Sequence, residues 1–362
     1  MKRVLIIAAL IIAAIIAGII NISAADTEVA NDMTSVGLIL NGSKDDRSWS
    51  QSHFTAMERT AAELGLNTVC RDNVAVSDFA AAAEELIEQG CEIIIVNSLS
   101  YADVILPVAE KHPDIYFFHA AGTTQGRNLA TYFGRIYQAR FLCGIVAGLQ
   151  TKTNEIGYVA AFPYSEVNRG INAFTLGVRT VNPDAKVYVT WTESWVDDAA
   201  ATQATEELLK GRNIDVLTLH TDSNAPLDIA EKNGVMSIGY NTDNSEHYPD
   251  TYLTAAVWNW DDFYTPYILK CLQGKFEGEH YWQSYDTGTV SLAPLTENVD
   301  EGIAEVVEQY SQKLQSGAFD VFYGPITDNN GMLRVAQDEN MTDSILLNSF
   351  DWYVEGVVIT DG

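Results

Sequence analysis

The 362-residue chain is 47% hydrophobic, enough to bury one large core or two medium ones, and its length favours two domains. Its formal net charge of −28 excludes a phosphate backbone as partner, so no nucleic acid is expected, and it excludes docking on an anionic membrane through a basic patch. Four cysteines, Cys70, Cys91, Cys143 and Cys271, form no short-loop pattern and six histidines form no ligand pair. Free thiols, no metal and no cofactor are therefore expected.

Lys2 and Arg3 precede an unbroken apolar run from Val4 to Ile20, followed by Asn21-Ile-Ser-Ala-Ala. Residues 1–25 are read as an export signal or, since the run approaches spanning length, an uncleaved N-terminal anchor. No cysteine follows the run, which excludes a lipid-modified anchor. Residues 26–34 form a polar tether, and the remainder is expected to be extracytoplasmic, touching the membrane only through the N-terminal segment.

The apolar run Val36–Leu40 suits a strand buried on both faces; a polar loop from Asn41 to Arg47 leads into a helix that ends at Gly65. Ser48 and Gln51 have the spacing of a capping box. Short strands then alternate with helices of about a dozen residues: strands near 68–70, 91–96, 115–118 and 129–133, helices near 77–89 and 101–111. The pattern restarts with a helix at 136–149 and strands near 156–162, 187–191, 214–219, 235–240 and 252–257, separated by helices. A helix at 263–272, a strand near Val290 and a long amphipathic helix at 303–314 follow. Such alternation predicts α/β architecture with two doubly wound parallel-sheet lobes, joined as a hinged clamshell by several crossings. The expected partition is 35–133 plus 260–284 for the first lobe and 134–259 plus 285–325 for the second. Residues 326–362 then form a C-terminal tail packed on the lobes.

Ligands in open α/β sheets bind beyond the strand carboxyl ends. The first lobe places Asp46, Trp49, Asn97, Ser98, Tyr101 and His119 there; the second places Phe162, Glu166, Trp195, His220, Thr221, Asp222 and Asp243. Trp258 and Trp260 fall near a crossing. One tryptophan per lobe, Trp49 and Trp195, can sandwich a planar ring, each face contributing about 1–3 kcal/mol, while carboxylates accept from ring N–H groups or exocyclic amines. Asp46 and Asp243 equally suit helix caps, and a lone tryptophan at a helix start equally suits a lid over the core. His220 beside Asp222 imitates an acid–base pair, but no GxSxG elbow, Walker A or Rossmann glycine pattern accompanies it, so no enzyme is expected.

Asp46-Arg-Ser-Trp49 with Gln51, Thr131-Tyr-Phe-Gly-Arg-Ile-Tyr137, Phe162-Pro163 with Glu166 and Arg169-Gly170-Ile-Asn-Ala-Phe174, His220-Thr-Asp-Ser223, Gly239 with Asp243, and Asp351-Trp-Tyr-Val354 together resemble the basic membrane protein family. These are extracytoplasmic solute receptors of ABC transporters with the type I periplasmic-binding fold. The resemblance implies a purine ligand, base or nucleoside, stacked between Trp49 and Trp195, a transporter permease as partner, and a monomer. Nucleoside receptors of the family carry a lysine that holds the ribose; Trp258 stands at that position, which implies a free base such as adenine. A purine nucleoside receptor, a surface sensor and, from another class, a secreted purine-processing hydrolase with His220 and Asp222 catalytic remain the alternatives.

Overall fold

The computed structural model describes residues 33–360. The signal or anchor and all but the end of the tether lie outside the described residues. The first sheet begins with β1 (Ser35–Ile39), α1 (Trp49–Leu64), β2 (Asn67–Arg71), α2 (Phe79–Glu88) and β3 (Cys91–Val96), then α3 (Ala102–Lys111), β4 (Tyr116–Ala120) and β5 (Leu129–Gly134). Its strand order is β11-β5-β4-β3-β1-β2, where β11 (His280–Gln283) is a late strand pairing in parallel with β5. The run Ile93-Ile-Ile-Val96 is fully buried because helices cover both faces of the sheet. Gly65, at φ 67°, ends α1 in the left-handed conformation that glycine tolerates.

The second sheet takes β6 (Glu155–Ala160), β7 (Lys186–Trp191), β8 (Val216–His220), β9 (Met236–Asn241) and β10 (Tyr252–Trp258). Two further strands flank them, β12 (Val290–Leu292) antiparallel on β10 and β15 (Val357–Ile359) parallel on β7, in the order β12-β10-β9-β8-β6-β7-β15. Its helices include α4 (Ile136–Gln150), α5 (Ser165–Val181), α6 (Asp198–Leu209) and α7 (Ala225–Asn233). Helices α4 and α5 touch backbone to backbone: a Cβ at Gly144 would lie 2.0 Å from the Phe174 carbonyl oxygen, and one at Gly177 would lie 2.0 Å from that of Phe141. This close pair anchors the floor of the second lobe.

The chain passes between sheets after β5, after β10 and between β11 and β12. After the second passage α8 (Asp261–Leu272) returns to α1, where Arg59 pairs with Asp261 at 2.6 Å. Beyond α9 (Ile303–Gln315) the tail forms the hairpin β13 (Ile326–Thr327) and β14 (Leu333–Val335), the short α10 (Asp343–Asn348) and β15. The tail thus supplies an edge strand to the second sheet. The four cysteines are free, three of them buried. Among the described residues no helix is long and apolar enough to cross a membrane.

Candidate functional site

The loop after β1 builds one wall of the interlobe cleft. Asp46 caps α1, accepting from the backbone N–H groups of Ser48 (2.8 Å), Ser50 (2.9 Å) and Gln51 (3.0 Å). Burial raises its pKa, and those bonds to the ionised form pull it back. The Ser48–Gln51 capping box is therefore corrected: Ser48 makes no side-chain cap, because the carboxylate two residues earlier already holds the orphan donors. With the helix start fixed, Trp49 is held by its indole N–H, which donates to the Asn97 carbonyl at 2.7 Å. Its ring meets His53, Trp258 and Trp260 edge to face at 4.5, 5.7 and 5.7 Å. Trp258 and Trp260 stack on each other at 4.4 Å behind it. The result is a rigid aromatic wall with one open face.

The second lobe supplies the other wall. The Trp195 carbonyl accepts from the Thr221 hydroxyl (2.6 Å) and the Asp222 N–H (2.8 Å), tying the loop after β7 to the end of β8. Asn241 ends β9 at φ 68°, a left-handed conformation that asparagine tolerates better than most residues. Its amide donates to Asp222 Oδ1 and to Ser48 Oγ of the first lobe, both at 2.9 Å, and its oxygen accepts from the Trp258 indole at 3.0 Å. Burial, then the negative charge of Asp46, push the Asp222 pKa well above the usual carboxylate range, while the Asn241 and Ser48 bonds oppose the shift. Glu166, in the first turn of α5, is raised by burial and lowered by the Arg169 guanidinium.

These walls enclose an inner cavity of about 130 Å³. Trp49, Phe133 and Trp195 give it apolar faces, and Asn41, Ser98, Glu166 and Asp222 give it polar edges. An outer cavity of about 430 Å³ shares Leu99, Ala121, Phe133, Tyr164 and Glu166 with it and reaches Arg169 and His280. At the opposite rim, Arg47 takes the left-handed conformation (φ 54°) and turns its carbonyl to the second lobe. There it accepts from Thr242 Oγ1 (2.8 Å), Asn244 Nδ2 (3.0 Å) and Asn224 Nδ2 (3.4 Å).

Of the residues expected to touch a ligand, Trp49, Trp195, Ser98 and Asp222 meet at this cavity. Asp46 does not, since its oxygens serve the helix start. Asp243 is exposed and caps the Ser245 N–H at 3.0 Å. Tyr101 is buried in the first lobe against Phe79, donating to the Val74 carbonyl at 2.7 Å. Phe162 stacks on Tyr164 at the rim, and Trp260 is fully buried with its N–H on Ser52. Trp258 lies behind the wall. His220 turns its Nδ1 to the Tyr158 hydroxyl at 3.0 Å rather than to Asp222, and burial lowers its pKa well below the usual value. Asn41, Phe133, Tyr164, Tyr240 and Asn241 also reach the cavity. A search for aromatics and carboxylates past strand ends passes over them, although Phe133 and Tyr240 end expected strands and Asn41 and Asn241 directly follow them, which was the available signal.

Two doubly wound lobes, three crossings and a cavity walled from both lobes define a periplasmic-type solute-binding protein. The chain belongs to the Bmp family: residues 33–319 match the profile described as ABC transporter substrate-binding protein PnrA-like. A purine-binding protein of Brucella abortus is 32% identical over 331 residues, covering 91% of this chain and 94% of its own. A putative ABC transporter glucose-binding protein of Haloferax volcanii is 32% identical over 313 residues, covering 86% of this chain and 77% of its own. Among solved structures, an ABC transporter solute-binding protein of Aeropyrum pernix superposes with a TM-score of 0.68 at 18% identity, covering 88% of this chain and 98% of its own.

Proposed function

We propose that this substrate-binding protein is an extracytoplasmic receptor that captures a free purine base and presents it, lobes closed, to a transporter permease. The observation that carries the reading is the inner cavity of about 130 Å³, bounded by one tryptophan from each lobe with the Asp222 carboxylate at its edge. Aromatic faces on both sides favour a flat heterocycle, and a carboxylate accepts from ring N–H or amine donors. Trp258 fills the position where the family's nucleoside receptors carry a ribose-holding lysine; its indole is committed to Asn241 and its ring to Trp260, which favours a base over a nucleoside. The purine-binding relative from Brucella supports the ligand class. Ligand capture here needs no bond to be made or broken, and the protein acts as a monomer by hinge closure.

Calorimetric titration of the protein, stripped of carried-over ligand by unfolding and refolding, with adenine, guanine, hypoxanthine, adenosine, guanosine and glucose tests the reading. Tight binding of a base and weak binding of its nucleoside is expected. Preference for a nucleoside would overturn the base assignment, and preference for glucose, the sugar named in the Haloferax relative, would overturn the purine class. Turnover of the bound compound would replace the receptor by an enzyme.

A further inference from the structure

We propose that Trp258 determines specificity without touching the ligand, by locking the Asn241 amide so that Asp222 is held as a hydrogen-bond acceptor. The inference rests on the purine-receptor reading for its ligand, though the relay itself is built from protein groups alone. The indole N–H of Trp258 can only donate, so the atom of Asn241 facing it at 3.0 Å is the amide oxygen. That fixes the amide nitrogen on the opposite side, where it donates to Asp222 Oδ1 at 2.9 Å. A flipped amide would set N–H against N–H at Trp258 and oxygen against oxygen at Asp222. The flip is therefore closed off as long as the indole N–H is present.

Trp258 and Asn241 end β10 and β9, and Asp222 lies two residues past the end of β8, so the relay is built from second-lobe groups alone. Trp258 is itself immobilised by its stack on Trp260 and is 4% exposed. On closure the second amide hydrogen of Asn241 meets Ser48 Oγ of the first lobe at 2.9 Å, which completes the donor's partners. Held as a carboxylate, Asp222 keeps lone pairs for a ligand N–H, and a ligand offering only an acceptor at that edge is rejected. The other ionisable groups acting on Asp222 are Asp46 from the first-lobe loop and Glu166 from α5, both acidic, with Tyr240 beside it on β9. Each of the two acids favours the protonated carboxyl, and the Asn241 amide, followed by the Ser48 hydroxyl, opposes it.

The test is the titration of Asp222 in the ligand-free protein, followed by carboxyl ¹³C resonance, in the wild type, Trp258→Phe and Asn241→Gly. The phenylalanine keeps the stacked ring and removes the N–H; the glycine removes the amide at a backbone conformation glycine accepts. Both variants should raise the Asp222 midpoint by about one pH unit, a tenfold change in the ionisation constant. Adenine affinity should fall about tenfold at pH values below the Asp222 midpoint in Trp258→Phe, and its pH profile should move with the midpoint by the same unit. An unmoved midpoint in Trp258→Phe, with Asn241→Gly shifted, would assign Trp258 to packing alone; an unmoved midpoint in both would remove the relay. If both midpoints shift but adenine does not bind the wild type, the relay stands and the purine reading fails.

Discussion

Trp195 is the aromatic most exposed to test, because its ring is half-buried at the cavity and its fold role is carried by its backbone carbonyl. Trp195→Ala should weaken base binding by about 1–3 kcal/mol, roughly tenfold to a hundredfold, leaving the melting temperature nearly unchanged; calorimetry and a thermal melt measure the two effects separately. Asp222 carries a stability consequence of opposite kind. Its folded pKa is raised, so the folded protein holds that proton more tightly than the unfolded chain, and stability falls as pH rises through the folded value. Asp222→Asn should therefore stabilise the ligand-free protein at pH 8 and by progressively less toward pH 5, as urea unfolding would show, while its amide, with the oxygen facing the Asn241 donor, turns an N–H toward the ligand where the carboxylate turned an acceptor. Trp49, Trp195, Ser98 and Asp222 were legible because strand carboxyl ends face ligands whatever the chain's other details. The helix-cap alternative for Asp46 was legible too, since its partners Ser48, Ser50 and Gln51 are local; the role of Trp258 was not, because its N–H is taken by Asn241, a neighbour brought in from β9.

At the scale of elements, the α4–α5 contact is the most demanding. Gly144 and Gly177 face backbone rather than movable side chains, so an added methyl must push the helices apart. Gly144→Ala should destabilise the protein by about 3 kcal/mol or more, visible as a lowered midpoint in chemical denaturation. Most strands and helices were legible from apolar runs and helical spacing, since a parallel sheet covered on both faces needs continuous β-branched stretches such as Ile93–Val96. The elements that were not legible are β11, the β13–β14 hairpin, α10 and β15. Each is two to six residues long, too short to develop a period of its own. What makes β15 a strand is the open edge of β7, which exists only after the second lobe has folded.

At the scale of the molecule, the lobes meet through protein groups as well as through the ligand cavity. Thr242, Asn244 and Asn224 converge on the single Arg47 carbonyl, and Asn241 reaches Ser48. At about 0.5–1.5 kcal/mol for each bond, such contacts bias the hinge toward closure by a few kcal/mol. Replacing Thr242 by Val together with Asn244 by Ala should raise the radius of gyration in small-angle scattering and weaken base affinity severalfold. The cavity lining itself is left intact. Unchanged scattering and affinity would show that the rim bonds do not set the hinge.

The grip on Arg47 also has a kinetic meaning. Its donors hold main chain, not ligand, so closure and occupancy are separable events. A ligand can enter only while the rim is open, and the observed association rate scales with that open fraction. Once inside, a ligand is retained until the three donors on Arg47 and the Asn241–Ser48 bond release together. Slow arrival and long residence follow, and a permease that senses lobe closure will also meet sealed receptors that carry nothing.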